Sequence, residues 1–316
     1  MTLATIFAAI SIVFPPEGAK LPYLERCYMM GFADGGEKVL SAWCLVRRPS
    51  AIADAIGAAK DIPVGKTGAW ATVIDVKSGT NVIEIGGAKR TFVVGSLESL
   101  GSEGTKGSDK KRVYKKLEYA ADTAKPHPAG KNPEEITVVI DAGHGGRDTG
   151  AMSPHGLPEK DANLRLAKAV RDELKKRGYT VMMTREDDTF VELYDRPKVA
   201  HGAKADLFVS IHHNAPGYAS NPFAIRSQSV YSWNALGERL AKAINVRMAA
   251  ADPTLKNDGV LHANFAVTRN PEIPSCLIEA DFITHPDGEC AAWDVARRPS
   301  IAAAIADGIA DWVAGR

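Results

Sequence analysis

Two histidines and two glutamates stand where this sequence could hold and use a metal ion. His144 follows an apolar run in VVIDAGHGGRDTGA, and His212 and His213 follow one in ADLFVSIHH. Glu279 ends the apolar run of IPSCLIEA, and Glu159 follows a proline that suits the start of a helix. Singly, each has a more ordinary explanation, because a lone histidine is usually structural and a glutamate there usually caps a helix. Together they match a catalytic zinc site, which needs two histidines and a glutamate as ligands and a further carboxylate that accepts a proton from water.

We therefore predict that His144, Glu159 and His212 bind the metal and that Glu279 accepts the proton, with His213 as the neighbouring alternative to His212. The other histidines lie in predicted loops or on predicted helix faces, where exposure to solvent is expected: His127, His155, His201, His262 and His285.

The elements that must position these residues alternate from residue 135 onward. Strands are predicted at ITVVID, YTVMMTR, DLFVSIH, SVYSW and IPSCLIEA, and helices at NLRLAKAVRDELKKRG, RPKVAHGAKA, LGERLAKAINVRMAA and SIAAAIADGIADWVAG. This alternation predicts an α/β domain over 135–316 with an open, mostly parallel sheet and flanking helices. Because such sheets bind ligands at the carboxyl ends of their strands, the candidate side chains are expected to meet there.

The chain before residue 135 has a different character. Residues 1–100 contain short β-branched runs separated by turn residues, which predicts a small all-β, sandwich-like domain with a first strand at 10–14. Residues 48–60 are expected to be a helical insertion or a long loop. Residues 101–134 are polar, with glycine first and proline later, and predict a linker. The lysines and arginine of this linker favour a solvated surface over a contact with an anionic polymer.

Composition excludes several classes of protein. The 316 residues are 45% hydrophobic and 24% charged with a net charge of +1, so a nucleic-acid-binding protein is disfavoured. No apolar run approaches the roughly 20 residues of a membrane span. The apolar stretch at 3–14 has no preceding lysine or arginine, so we interpret it as a first strand behind a weak or trimmed export signal. The four cysteines show no CxxC spacing, which favours free thiols over a Cys27–Cys44 disulfide.

Residues 136–316 resemble the zinc-dependent N-acetylmuramoyl-L-alanine amidases of the type-3 family. The matching pieces occur in the family's order: VVIDAGHGGRDTGA, GLPEKDANL, TREDD, ADLFVSIHHNA, HANFAVTR and IPSCLIEADFITHP. The resemblance implies one Zn²⁺ per chain on His144, Glu159 and His212, and it favours His212 over His213. It also implies Glu279 as the catalytic glutamate.

The resemblance further implies a zinc amidase fold of the phosphorylase/hydrolase-like type and a location in the periplasm or elsewhere in the cell envelope. The reaction it implies is hydrolysis of the amide between N-acetylmuramic acid and L-alanine in bacterial peptidoglycan, with water activated by zinc and Glu279 as general base. Two alternatives stay open: a zinc peptidase that cleaves another peptidoglycan amide, and a non-catalytic wall-binding protein on an amidase fold. Asn163, Arg185 and Asn214 are candidates for substrate binding, with structural roles as the alternative for the first two.

Three expectations follow from where this chain departs from the family pattern. Asp281 stands where the family usually has glycine, and it would raise the pKa of Glu279 if the two carboxylates approach. Asp258 replaces a usual arginine, which removes a positive charge from the substrate region. The segment 215–228 is too short and too rich in proline for an inhibitory helix, so we predict a loop at the rim of the site and no obligatory activator. We also expect the linker to tether the β-rich region without plugging the site.

Overall fold

The computed structural model describes residues 10–34, 39–48, 51–55, 60–96, 128, 130–270 and 272–316, with the backbone alone at 39–55 and at residue 60. The first part, called here the N-terminal β region, comprises the described residues from 10 to 96. Its strands are β1 Ile10–Phe14, β2 Ala19–Leu21, β3 Arg26–Ala33, β4 Val39–Arg48, β5 Ala51–Ala55, β6 Lys60–Pro63, β7 Ala69–Asp75, β8 Gly79–Ile85 and β9 Ala88–Val94.

These nine strands form two sheets. One has the order β1-β3-β7, and the other has the order β2-β9-β8-β4-β5 with β6 paired to β4. The sheets share a core of buried apolar side chains that includes Trp70 and Phe92. The predicted first strand is confirmed at Ile10–Phe14. The expectation for 48–60 was wrong in part, because Ala51–Ala55 pairs with β4 as a strand.

The second part is the predicted α/β domain. Its strands are β10 Thr137–Ala142, β11 Thr180–Met183, β12 Leu207–Asn214, β13 Gln228–Ser232, β14 Asn257–His262 and β15 Ser275–Phe282. Its helices are α1 Glu159–Lys176, α2 Arg196–Gly202, α3 Ala235–Ala251, α4 Pro286–Trp293 and α5 Arg297–Val313. The sheet order is β11-β10-β12-β15-β13-β14, and only the β13–β15 pairing is antiparallel. The fold class predicted for this part is confirmed.

Apolar periodicity explains how the helices cover the sheet. Leu166, Val170 and Leu174 recur every four residues along α1 and are buried against β10 and β12. The helices α3 and α5 cross closely at Gly308, where an added Cβ would lie 2.4 Å from the Cα of Ile244. Because β10, β12 and β15 run parallel to one another, their carboxyl ends lie at the same edge of the sheet.

The predicted linker lies largely outside the described residues, so the domain boundaries 1–100, 101–134 and 135–316 stay a prediction. Cys27 and Cys276 are buried free thiols and Cys290 is an exposed one, whereas the side chain of Cys44 is outside the described part. Over that same part of the chain, no helix combines the length and the apolar character that crossing a bilayer requires.

Candidate active site

Three predicted ligands meet at the carboxyl edge of the sheet. His144, Glu159 and His212 each offer one donor atom, and these atoms lie within 4.8 Å of one another. Glu159 is the centre of the group, because its Oε2 lies 3.3 Å from His144 Nε2 and its Oε1 lies 3.0 Å from His212 Nδ1. Two imidazoles and one carboxylate are the donor set of a catalytic zinc site, and the residues present therefore fit this metal.

His144 lies in a turn that directly follows β10. Its φ is 60°, a left-handed backbone that is uncommon for a residue with a side chain. Two neighbours hold it there: Arg196 Nη2 donates to the His144 carbonyl at 2.9 Å, and His144 Nδ1 donates to Asp148 Oδ2 at 2.8 Å. The second contact leaves Nε2 of the ring facing Glu159. Burial lowers the pKa of His144, but the hydrogen bonds with Glu159 and Asp148 outweigh it and raise the pKa to about 9.

Glu159 is the first residue of α1 and is only 4% exposed. Burial disfavours its charge, yet the two histidines hold the pKa of this carboxyl well below its ordinary value. Asn163 lies one turn later and donates to Glu159 Oε1 at 2.9 Å and to the Gly143 carbonyl at 3.3 Å. Asn163 also accepts from His213 Nδ1 at 2.8 Å.

His212 and His213 have different surroundings although they are adjacent on β12. His212 faces Glu159 with Nδ1, and its ring packs against Gly143, where an added Cβ would lie 2.2 Å from Nε2. His213 points to the other side and is buried, and burial lowers its pKa to about 4. His213 is therefore a neutral hydrogen-bond partner of Asn163, and the donor group contains His212.

Glu279 lies beside the donor group because of strand register. It is the partner of His212 across β12 and β15, and of Ser229 across β15 and β13. Its Oε2 is buried without a hydrogen-bond partner. Burial, and after it the charge of Glu159, raises the pKa of Glu279 well above its ordinary value. A carboxyl in this state is suited to exchange a proton with a reacting group.

Asp281 does not act on Glu279 as predicted. The register between β12 and β15 shifts after the His212–Glu279 pair. Asp281 is fully buried and accepts from Arg226 Nε at 3.1 Å and Nη2 at 2.9 Å. The prediction was wrong because this arginine pairs with Asp281, whereas Glu159 is the carboxylate that raises the pKa of Glu279.

The other sequence candidates are supporting residues or lie at the edge. Arg185 is 4% exposed, and its guanidinium donates to the backbone carbonyls of Ala142, Gly143, Lys160 and Asp187. Asn163 is fully buried by its contacts with Glu159 and His213. Asn214 ends β12 and accepts a bond from the Ala215 amide at 2.8 Å. Arg185 and Asn163 are thus enclosed by protein, which supports the structural alternative.

Sequence reasoning missed Asp148 and Arg196. Asp148 stands in the quoted stretch four residues after His144, a spacing that could have been noticed. Arg196 is 52 residues away, and its role depends on α2 lying against the end of β10, which spacing does not reveal.

A cavity of about 340 Å³ opens in front of the donor group. Its apolar wall consists of Phe190, Val191, Leu193, Phe265, Ala266, Val267 and Leu277. Its polar wall consists of His144, Asp148, Glu192, Arg196, His212 and Glu279. Within the part of the chain that the structure describes, every residue that lines this cavity lies between 144 and 279, so the cavity belongs to the α/β domain. The predicted loop between β12 and β13 is confirmed over residues 215–227, with one short 3₁₀ turn at Pro222–Ala224.

Known proteins share this domain. The family model described as N-acetylmuramoyl-L-alanine amidase matches residues 138–311. The N-acetylmuramoyl-L-alanine amidase AmiA of Escherichia coli is 34% identical over 225 residues, which cover 57% of this chain and 77% of AmiA. The probable cell wall amidase LytH of Staphylococcus aureus is 31% identical over 255 residues, 79% of this chain and 80% of LytH. The solved structure of the amidase AmiC2 of Nostoc punctiforme has a TM-score of 0.54 at 34% identity and covers 58% of this chain and 98% of that one.

The match to the family model spans more than half of the chain and includes all of the donor group as well as Glu279. The chain belongs to the N-acetylmuramoyl-L-alanine amidase family.

Proposed function

We propose that this protein hydrolyses the amide between N-acetylmuramic acid and L-alanine in peptidoglycan, with one zinc ion on His144, Glu159 and His212 and with Glu279 as general base. The observation that carries the proposal is the donor group within 4.8 Å, with the unpartnered carboxylate oxygen of Glu279 beside it. When bound, zinc supplies a Lewis acid that polarises a carbonyl and lowers the pKa of water toward about 7.

The residues of the chain account for the proton movements. Glu279 takes a proton from the attacking water and delivers it to the amide nitrogen as the bond to carbon breaks. Its raised pKa makes the Glu279 carboxylate a stronger base toward the attacking water. Asp148 and Asn163 contact His144 and Glu159 and fix the orientation of these side chains. The cavity is open, so a segment of a polymeric substrate can enter it from the protein surface.

Fragment analysis tests the bond that is cleaved. The purified chain alone, loaded with zinc, is incubated with purified sacculi and with soluble peptidoglycan fragments, and the products are identified by mass spectrometry. We expect free peptides that begin at L-alanine and glycans without peptides. Products cut within the peptide would contradict the proposal and identify a peptidase.

Paired substitutions test the roles of the residues. We expect His144→Ala to lose zinc and activity together, and we expect Glu279→Gln to keep zinc while turnover falls on the order of 10²–10⁴-fold, as for a lost general base. Metal content is measured by elemental analysis on the same samples as the rates. Loss of zinc from Glu279→Gln would make Glu279 a ligand and contradict the assignment of Glu159.

We further propose that the protein acts on the wall outside the cytoplasm without an activating partner. The similarity to LytH, which is described as a probable cell wall amidase, supports the location. The loop form of 215–227 supports independent action, and so does the cavity, which among the described residues is lined only from within 144–279. Cell fractionation tests the location. Activity that appears only after addition of a cell extract would contradict independent action.

A further inference from the structure

Two surface loops of the α/β domain adjoin metal-binding residues directly. The first, called the 151–158 hairpin, leads into Glu159, whose amide donates to the Ala151 carbonyl at 2.8 Å. The second, called the 215–227 loop, begins three residues after His212. The helix α1 starts at the end of the hairpin, and β12 ends where the 215–227 loop begins. The position of the hairpin therefore affects Glu159, and the position of the loop affects His212.

The N-terminal β region packs on both loops through its β1-β3-β7 sheet. Phe14 stacks on Tyr28 at 4.5 Å and on Tyr218 of the 215–227 loop at 5.9 Å. The Tyr28 amide donates to the Tyr218 carbonyl at 2.7 Å. Met152 of the hairpin and Phe223 of the loop pack against the same apolar cluster, whose buried members are Tyr28, Met30 and Ala71. One cluster thus joins a sheet of the β region to both loops.

His155 makes a second junction at the tip of the hairpin. Its Nδ1 donates to Glu289 Oε2 at 2.7 Å, and its Nε2 donates to the Thr67 carbonyl of the β region at 2.9 Å. Phe32 of β3 stacks on the His155 ring at 5.1 Å. Glu289 on α4 is 5% exposed and also accepts from Ser153. The expectation that His155 is an exposed loop histidine was wrong, because it binds partners on two sides.

We propose that the N-terminal β region is a positioning surface for the catalytic centre, which holds the 151–158 hairpin and the 215–227 loop so that Glu159 and His212 stay in metal-binding geometry. The proposal rests on the proposed function for its activity readout, and its partner is this chain's own α/β domain. It gives the β region a role other than that of a tethered wall-binding module.

The test uses the full chain and substitutions in the interface. Val13 on β1 lies against the hairpin, with its Cγ2 3.9 Å from the position of a Cβ at Gly156. Val13→Lys places a charge there, and His155→Ala removes the second junction from the other side. Hydrogen exchange of peptides covering 151–158 and 215–227 reports on the loops, chelator competition reports zinc affinity, and hydrolysis of soluble fragments reports turnover.

We expect faster exchange in the loops, a loss of about tenfold in zinc affinity and a fall in turnover for both variants, as for residues that orient metal ligands. Val93→Lys is the matched control, because Val93 is 38% exposed on β9 in the other sheet. His201→Ala on α2 is the control for His155→Ala. Val13→Ile should behave as the wild type.

Three results separate the explanations. Exchange at wild-type rates in both loops overturns the docking, and faster exchange with unchanged zinc affinity and turnover overturns the positioning role. Hydrogen exchange of peptides covering β8 and β9 shows whether the β region itself stays folded. If Val13→Lys unfolds the β region, the result for His155→Ala decides between the explanations. If the wild-type chain binds zinc but releases no peptide, the proposed amidase function is contradicted. The positioning role of the β region is still tested by hydrogen exchange and zinc affinity.

Discussion

At the scale of single residues, two glycines determine how closely the ligands pack. An added Cβ at Gly150 would lie 2.6 Å from both Glu159 Oε2 and His144 Cδ2. At Gly143 it would lie 2.2 Å from His212 Nε2. The side chains of the donor group therefore pack directly against the backbone of these two glycines. Any larger residue at Gly143 or Gly150 must displace a side chain of the donor group.

Gly143→Ala is expected to lower zinc affinity and turnover by at least tenfold, because the His212 ring must move away from the new methyl group. Zinc affinity by chelator competition and the rate on soluble fragments are the measurements. Gly202→Ala is the control, since a Cβ there meets nothing within 4 Å. Equal zinc affinity in the two variants would contradict the close contact.

The sequence predicted the donor group at this scale because each of its residues stands at a strand or helix end and carries a side chain that can bind a metal. It did not predict their supports. Arg196 binds the carbonyl of His144 through the fold, and a buried arginine has no pattern of its own. Asp281 shows the converse error, because proximity in sequence suggested an effect on Glu279, whereas Asp281 pairs with Arg226 and Glu159 is the carboxylate that raises the pKa of Glu279.

At the scale of elements, α3 and α5 form a joined pair beneath the sheet. Asp252 follows the last residue of α3 and accepts from Arg297 Nε, at the start of α5, at 3.1 Å. Both side chains are 17% exposed. Burial raises the pKa of Asp252, but its hydrogen bonds with Thr254 and Arg297 outweigh it, and the net pKa lies below 3.8.

Asp252→Asn is therefore expected to lower the free energy of unfolding by about 1–2 kcal/mol at pH 7. Because the folded state lowers the pKa, this contribution is fully present above the unfolded value of 3.8 and is lost as the pH falls through the folded value. Urea unfolding at several pH values should show that the free energies of unfolding of the wild type and Asp252→Asn converge at acidic pH. Asp195→Asn, whose side chain is 54% exposed, is the control. A difference that persists unchanged in acid would contradict the electrostatic origin.

Length does not separate the elements that were predicted from those that were missed. The helices α1, α3 and α5 and the strands β10, β12 and β15 carry apolar patterns strong enough to be identified, and the seven-residue helix α2 was predicted as well. The individual strands β2 to β6 were not predicted, and neither were β14 and α4. β14 begins with exposed polar residues, and the buried residues of α4 are Gly288, Glu289 and Ala292, so neither element has an apolar pattern that local sequence can express.

At the scale of the whole molecule, the proposed metal site joins parts of the chain that are far apart in sequence. Its ligands come from the turn after β10, the start of α1 and the end of β12. A metal that binds only the folded state stabilises that state as its free concentration exceeds its dissociation constant. Metal binding and folding of the α/β domain are therefore linked.

Zinc at about a hundredfold excess over its dissociation constant is expected to stabilise the wild type by about 2.7 kcal/mol. For a domain of this size, that raises the thermal midpoint by roughly 5–10 °C. Differential scanning calorimetry with and without a chelator measures the shift, and His144→Ala should show none. A shift of equal size in that variant would place the stabilising zinc elsewhere.

The row formed by His212, Glu279 and Ser229 across three neighbouring strands has a consequence for how this enzyme can change. The backbones that carry the proposed ligand His212 and the proposed general base Glu279 are neighbours in hydrogen-bonded strands, about 4.8 Å apart, so surface loops do not set their separation. A slip of one residue in β15 would turn Glu279 to the opposite face of the sheet. Glu279 therefore faces the donor group only in the observed register. The apolar cavity wall, in contrast, includes 190–193 and 265–267, in the loops before α2 and after β14. We therefore expect that exchanging these loops between relatives changes substrate preference while it preserves the bond-breaking chemistry.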